Sequence, residues 1–131
     1  MKASDIMRRP VVAATPTATA RDVAIQLLMG EFSGVPVAKS DGSVVGVVTE
    51  LDLIRAVLRA GMALETTLAQ DIMTRDVTVV NAETPLEEIM KVLEEKNIIR
   101  VPVTDKGKLV GVISRSDVLR ALIEPKFLRF S

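Results

Sequence analysis

The sequence is written twice. Asp5-Ile6-Met7 returns as Asp71-Ile72-Met73. At that offset of 66, Arg9 falls on Arg75, Val11 on Val77, Leu27 on Leu93, and Val35-Pro36-Val37 on Val101-Pro102-Val103. One residue is then lost in a turn. After it Gly42 meets Gly107, Val45-Gly46-Val47 meets Val110-Gly111-Val112, Asp52 meets Asp117, and Arg55-Ala56 meets Arg120-Ala121. These make about 16 identities over roughly 53 aligned positions, against about three by chance, and such self-similarity constrains architecture before any other signal. A repeat of about 60 residues buries only about 60% of its unfolded surface alone. Two copies packed sheet to sheet, with pseudo-twofold symmetry, build one core. The expected domains are residues 1–63 and 64–131, joined by a short linker over 61–67.

Each copy reads as β-α-β-β-α, an α/β (α+β) class. A short polar lead precedes an extended stretch, Val11 to Ala14 and Val77 to Val80. Thr19-Ala20-Arg21-Asp22 opens a helix as a capping-box variant. In the second copy Thr84-Pro85-Leu86-Glu87 does so, with Pro at the first helical position. Apolar spacing at Val23, Leu27 and Met29, and at Leu86, Ile89, Met90 and Leu93, gives each helix one buried face. A hairpin follows: Val35-Pro36-Val37, the turn Ser40-Asp41-Gly42, then Val44 to Val48; its counterpart is Val101 to Thr104, Asp105-Lys106-Gly107, then Leu109 to Ile113. A last helix spans about Leu51 to Arg59, and about Ser116 to Ile123, where Pro125 stops it.

Composition narrows the chemistry. There is no His and no Cys, which excludes triads, thiol nucleophiles, disulfides and soft zinc sites. With no Trp, no Tyr and 3 Phe, aromatic platforms for stacking bases are few. Lys plus Arg is 17 and Asp plus Glu is 17, so the net charge is zero and no nucleic-acid partner is expected. No Gly-x-x-x-x-Gly-Lys-Ser/Thr loop is present. No leader and no apolar run of about 20 residues is seen, so no membrane insertion is expected and a cytoplasmic location is the default. Glu83, Glu87, Glu88, Glu94 and Glu95 read as a solvated helix face. Met7, Met29, Met73 and Met90 read as core filler. The tail from Lys126 to Ser131 carries Phe127 and Phe130, either to dock on a partner subunit or to pack back.

The Asp-Ile-Met start, the Val-Pro-Val strand, and Gly46 to Asp52 with Gly111 to Asp117 together resemble a tandem pair of CBS (cystathionine-β-synthase) domains, the Bateman module, from about Ser4 to Ile123. That resemblance implies a non-enzymatic regulatory or sensor module that holds an adenine nucleotide (AMP, ADP or ATP) or S-adenosylmethionine in clefts between the two repeats. It implies a homodimer, the CBS disc, and an unknown regulated protein. No resident cofactor and no metal are expected. A dimerisation scaffold with unfilled clefts is the alternative.

The candidate site follows from this. A Thr/Ser-x-x-Asp segment where strand meets helix offers helix amides to a phosphate and a carboxylate to a ribose diol. The same tetrapeptides, Thr49 to Asp52 and Ser114 to Asp117, are equally helix N-caps. The resemblance makes Asp52 and Asp117 ribose ligands, with Thr49 and Ser114 beside them and Arg100 on phosphate. The first copy has Gly34 at the position of Arg100, so the Asp117 cleft is expected to be the tighter, with Arg115 as a further cation. A single Arg favours AMP over ATP. The resemblance also joins each Asp to the leading segment of the other copy: Asp117 to Ser4, Arg9, Pro10 and Val11, with Phe32 near the base; Asp52 to residues 70–77, including Arg75 and Val77, with Ile98 and Ile99. Arg8, Arg9 and Arg75 either assist phosphate or are solvated surface charges.

Overall fold

The computed structural model describes residues 1–124; the tail bearing Phe127 and Phe130 lies outside the described residues. The elements in order are α1 (Ala3–Ile6), α2 (Ala20–Gly30), β1 (Gly34–Ala38), β2 (Val44–Thr49), α3 (Glu50–Ala60), α4 (Ala69–Ile72), β3 (Val80–Asn81), α5 (Leu86–Glu95), β4 (Arg100–Asp105), β5 (Lys108–Ser114) and α6 (Arg115–Ile123). Helices and strands mix as expected. The chain forms two compact units: Val12–Val77, and Met1–Val11 together with residues from Thr78 onward. These units do not follow the sequence repeats. Each takes the body of one repeat and the lead of the other.

In the 12–77 unit, β1 pairs antiparallel with β2. The expected first strand is reduced here to one parallel bridge, Ala14 to Val37. Val23, Leu27, Val35, Val37, Val48, Leu53 and Met73 form the core. In the other unit β3 runs parallel to β4, and β4 antiparallel to β5. Its core is Ala3, Val80, Ile89, Leu93, Val101, Val103, Ile113 and Val118. Pro102 lacks an amide to donate, yet stands in the middle strand. It is tolerated because β3 begins only opposite Val103. The second hairpin closes tightly through Lys106 and Gly107, both at positive φ (52° and 78°), as a two-residue turn demands. The first is a residue longer and is held by Asp41, whose Oδ1 accepts from the Ser43 amide and hydroxyl.

Three expectations are corrected. Thr84 does not cap α5: Pro85 is the N-cap residue, with no capping side chain. The Thr84 Oγ1 instead accepts from the Asn81 amide at 3.0 Å, and the Leu86 amide donates to the Met1 carbonyl at 3.0 Å. Met29 is not core filler. It is 82% exposed, because it lies two residues from Leu27 and so nearly opposite it on a helix of 3.6 residues per turn. The polar leads contain helices, α1 and α4, each a single turn of four residues.

These leads dock by a shared device. Met7 lies against Gly111 and Met73 against Gly46; a Cβ at either glycine would stand 2.7 Å from the methionine Cγ. Both glycines are in the middle of Val-Gly-Val strands at ordinary φ. They are kept for space, not for backbone freedom.

Candidate functional site

Each unit turns from a hairpin strand into a helix at a Thr/Ser-x-x-Asp corner. At the first, the Thr49 amide donates to Asp52 Oδ2 at 2.9 Å, and the Asp52 amide to Thr49 Oγ1 at 3.2 Å. At the second, the Ser114 amide donates to Asp117 Oδ2 at 2.9 Å and the Asp117 amide to Ser114 Oγ at 3.2 Å. Both are complete capping boxes. The capping role therefore holds at both corners. It uses one carboxylate oxygen and leaves Oδ1 to other partners.

What faces Oδ1 differs. Thr74, from the lead, reaches Asp52 Oδ1 with its hydroxyl at 3.3 Å. At the equivalent place Arg8 donates from Nε to Asp117 Oδ1 at 2.9 Å. Arg120, one turn along α6, adds Nη1 at 3.1 Å. Asp117 is 4% exposed. Burial pushes its carboxyl up, but the Ser114 amide, the Arg8 guanidinium and the Ser114 hydroxyl together more than reverse this. Its pKa lies below the ordinary 3.8.

A native pKa below the unfolded value means the unfolded chain binds this proton more readily. The stabilisation is complete above about pH 4 and disappears as pH falls through the depressed native value. Urea unfolding measured from pH 7 down to pH 2.5 should show that acid-dependent loss. Asp117→Asn should be less stable at pH 7 and lack this part of the pH slope. Identical slopes in both proteins would refute the assignment.

The remaining expected residues divide. Arg100 stands opposite Ser114 in the β4–β5 register, as Gly34 stands opposite Thr49 in the β1–β2 register. Arg100, Ser114 and Asp117 therefore share one corner. Ser4 lies in α1 of the same unit, its amide donating to the Ala82 carbonyl at 3.0 Å. Arg9 and Pro10 follow Arg8 on the exposed lead, and Val11 is half-buried at the end of that segment. Arg115 points elsewhere: its Nε donates to the Ile98 carbonyl at 2.9 Å and its Nη2 to Asn97 Oδ1 at 3.2 Å. Arg75 folds onto its own lead, donating to the Gln70 carbonyl at 2.9 Å. Val77 is half-buried, with its amide on the Arg75 carbonyl.

Phe32 packs on the core of the 12–77 unit, not within the unit that holds Asp117. Ile98 packs on the other core, and Ile99 is exposed beside it, its carbonyl taking the Arg115 amide. Neither shares a compact unit with Asp52. Two first-turn amides of α6 are already spent, Arg115 on Ile99 and Asp117 on its cap, which leaves the helix fewer donors for a phosphate than expected. Arg8, read above as a phosphate aid or a solvated charge, is instead the lead's partner for Asp117. It occupies the repeat position of Thr74, where the two copies are not identical, so the identities of the repeat do not mark it.

Two capped strand-to-helix corners, each completed by the lead of the opposite repeat, define a tandem β-β-α module. The chain belongs to the CBS domain family, whose model matches residues 3–59 and 69–124. An uncharacterized Methanopyrus kandleri protein is 30% identical over 122 residues, 92% of this chain; the alignment spans 61% of that protein's length. Hypoxic response protein 1 of Mycobacterium tuberculosis is 27% identical over 98% of this chain and 90% of its own. The fold of this chain is matched by a crystal structure of Hypoxic Response Protein I with two coordinated zinc ions (27% identical, TM-score 0.85, covering 92% of this chain and 98% of that one). The CBS-pair protein CBSX2 of Arabidopsis thaliana, crystallised in complex with AMP, is 30% identical with TM-score 0.84, covering 95% of this chain and 98% of its own. Among the described residues no helix is long and apolar enough to cross a membrane.

Proposed function

We propose that this chain is a non-enzymatic regulatory module that binds an adenine nucleotide, AMP before ADP or ATP, at the Asp117 corner. One observation carries the reading: a buried carboxylate, the Ser114 hydroxyl and two lead or strand arginines, Arg8 and Arg100, belong to a single corner. The carboxylate suits a ribose diol and the guanidiniums suit one phosphate group. CBSX2, at 30% identity, has been crystallised with AMP, which supports the ligand class. The Asp52 corner has Gly34 in place of Arg100 and Thr74 in place of Arg8, and is the weaker site. The module acts as a homodimer on another protein. Exposed apolar residues on α3 (Leu51, Ile54, Leu58) and on α6 (Leu119, Leu122, Ile123) supply the faces that subunits would cover.

Thermal-shift and calorimetric titration with AMP, ADP, ATP and S-adenosylmethionine tests this. At 100 times its dissociation constant the right ligand should add about 2.7 kcal/mol of stability. Sedimentation of the same sample should give twice the 14.2 kDa chain mass. A dimer that responds to none of the four ligands would favour the scaffold over the sensor.

A further inference from the structure

Asp117 has no vacant acceptor. A carboxylate offers about four lone-pair positions, and here four donors use them: the Ser114 amide and hydroxyl on Oδ2, Arg8 and Arg120 on Oδ1. A diol must therefore displace a partner. The Ser114 donors belong to the helix cap, and Arg120 lies on α6 itself, three residues away. Arg8 alone comes from a separate segment, and its side chain is 63% exposed. Its backbone is pinned to β5 by the Arg8 amide on the Val112 carbonyl at 2.9 Å. Once displaced, the guanidinium stays within a side chain's reach of the corner.

We propose that Arg8 is a latch on Asp117 that makes this corner select phosphorylated over unphosphorylated nucleosides. The proposal rests on the nucleotide reading above. A neutral nucleoside that takes Asp117 breaks a charge-assisted contact and returns Arg8 to water. A nucleotide breaks the same contact but offers Arg8 a phosphate in exchange. The latch thus opposes both ligands and is compensated by only one. The Asp52 corner faces the neutral Thr74 hydroxyl and has no such filter, though its lead docks in the same way.

Calorimetry on the full chain carrying Asp52→Ala, which isolates the Asp117 corner, reads this with AMP and adenosine. AMP should bind about tenfold to a hundredfold more tightly than adenosine, the range of one charge-assisted hydrogen bond. Arg8→Gln should strengthen adenosine several-fold and weaken AMP about tenfold, so that the gap narrows to what Arg100 supplies. Arg8→Lys keeps the charge without the Nε contact and should fall between; it decides the matter if the Gln variant does not melt cooperatively. If AMP binds and the AMP-to-adenosine ratio is the same with Arg8, Gln and Lys, the latch is overturned and the nucleotide site stands. If neither ligand binds any of the three, the nucleotide reading itself fails and the latch with it. Adenosine binding that appears only once Arg8 is replaced would support the latch in its strongest form.

Discussion

Asp117→Ala should abolish tight AMP binding and lower the melting temperature by roughly 10 °C. Two separate losses combine. The cap of α6 is worth about 1 kcal/mol. The charge-assisted contacts at a carboxylate only 4% exposed add about 1.5–3 kcal/mol. For a domain of this size each kcal/mol moves the melting point by about 3–5 °C. Asp52→Ala should cost less, because Asp52 is half-buried and its Oδ1 meets one hydroxyl instead of two guanidiniums. Binding separates the roles. If Asp117 only caps, Asp117→Ala should leave AMP affinity near that of the parent once the folded fraction is counted. If it holds the ribose, AMP and adenosine should both weaken by more than about tenfold. Equal losses from Asp52→Ala and Asp117→Ala would instead point to two coupled sites.

Gly111→Ala should destabilise the chain by about 1–3 kcal/mol, the cost of forcing a methyl group into an already filled space. The added carbon would stand 2.7 Å from Met7 Cγ and 2.9 Å from Met7 Cβ. A flexible tip could swing away from such a contact, but a Cβ cannot without moving the backbone. The Met7 backbone adjoins Arg8, whose bridge to Val112 pins the lead to β5. The substitution therefore loosens both the packing and the Arg8–Asp117 contact. Pairing it with Met7→Ala should recover part of the loss, and denaturant unfolding of the four proteins in that cycle measures the coupling. A purely additive cycle would show that the close approach of methionine and glycine is not what the glycine is for.

Much of this was legible in the residues, because much of it is local. The hairpins follow from alternating apolar residues and their turns, and the caps of α2, α3 and α6 follow from Thr19, Thr49 and Ser114 with an acid three residues on. Offset arithmetic alone placed Asp52 and Asp117 at equivalent corners. The failures have equally specific causes. A one-turn helix such as α1 or α4 spans barely one period of the pattern that would reveal it, and a pattern needs several. Thr84 resembled a cap by its side chain, although the repeat aligns Pro85, not Thr84, with Thr19. Met29 reads as core by its apolar side chain, but its angle around the helix from Leu27 turns it to solvent. The pairing of each Asp with the opposite lead came from family resemblance alone. No local pattern encodes a contact between residue 8 and residue 117. In the sequence Arg8 reads equally as a solvated charge, and only the fold brings its Nε onto a buried carboxylate.

The interleaving of the two units sets an order of assembly. As the chain is synthesised, residues 1–11 emerge well ahead of the residues they pack on, which begin at Thr78. Residues 12–77 then form an uninterrupted stretch with its own core, complete once Met73 and Thr74 are available. The other unit must wait until β5 and α6 exist before residues 1–11 can close onto it, with partners more than a hundred residues apart in sequence. Contacts of such separation close slowly. The Arg8–Asp117 pair should therefore be among the last native contacts to form. Severing the chain between the sequence repeats, near residue 63, would yield no intact half: one fragment would lose its Met73 cover and the other its entire first segment.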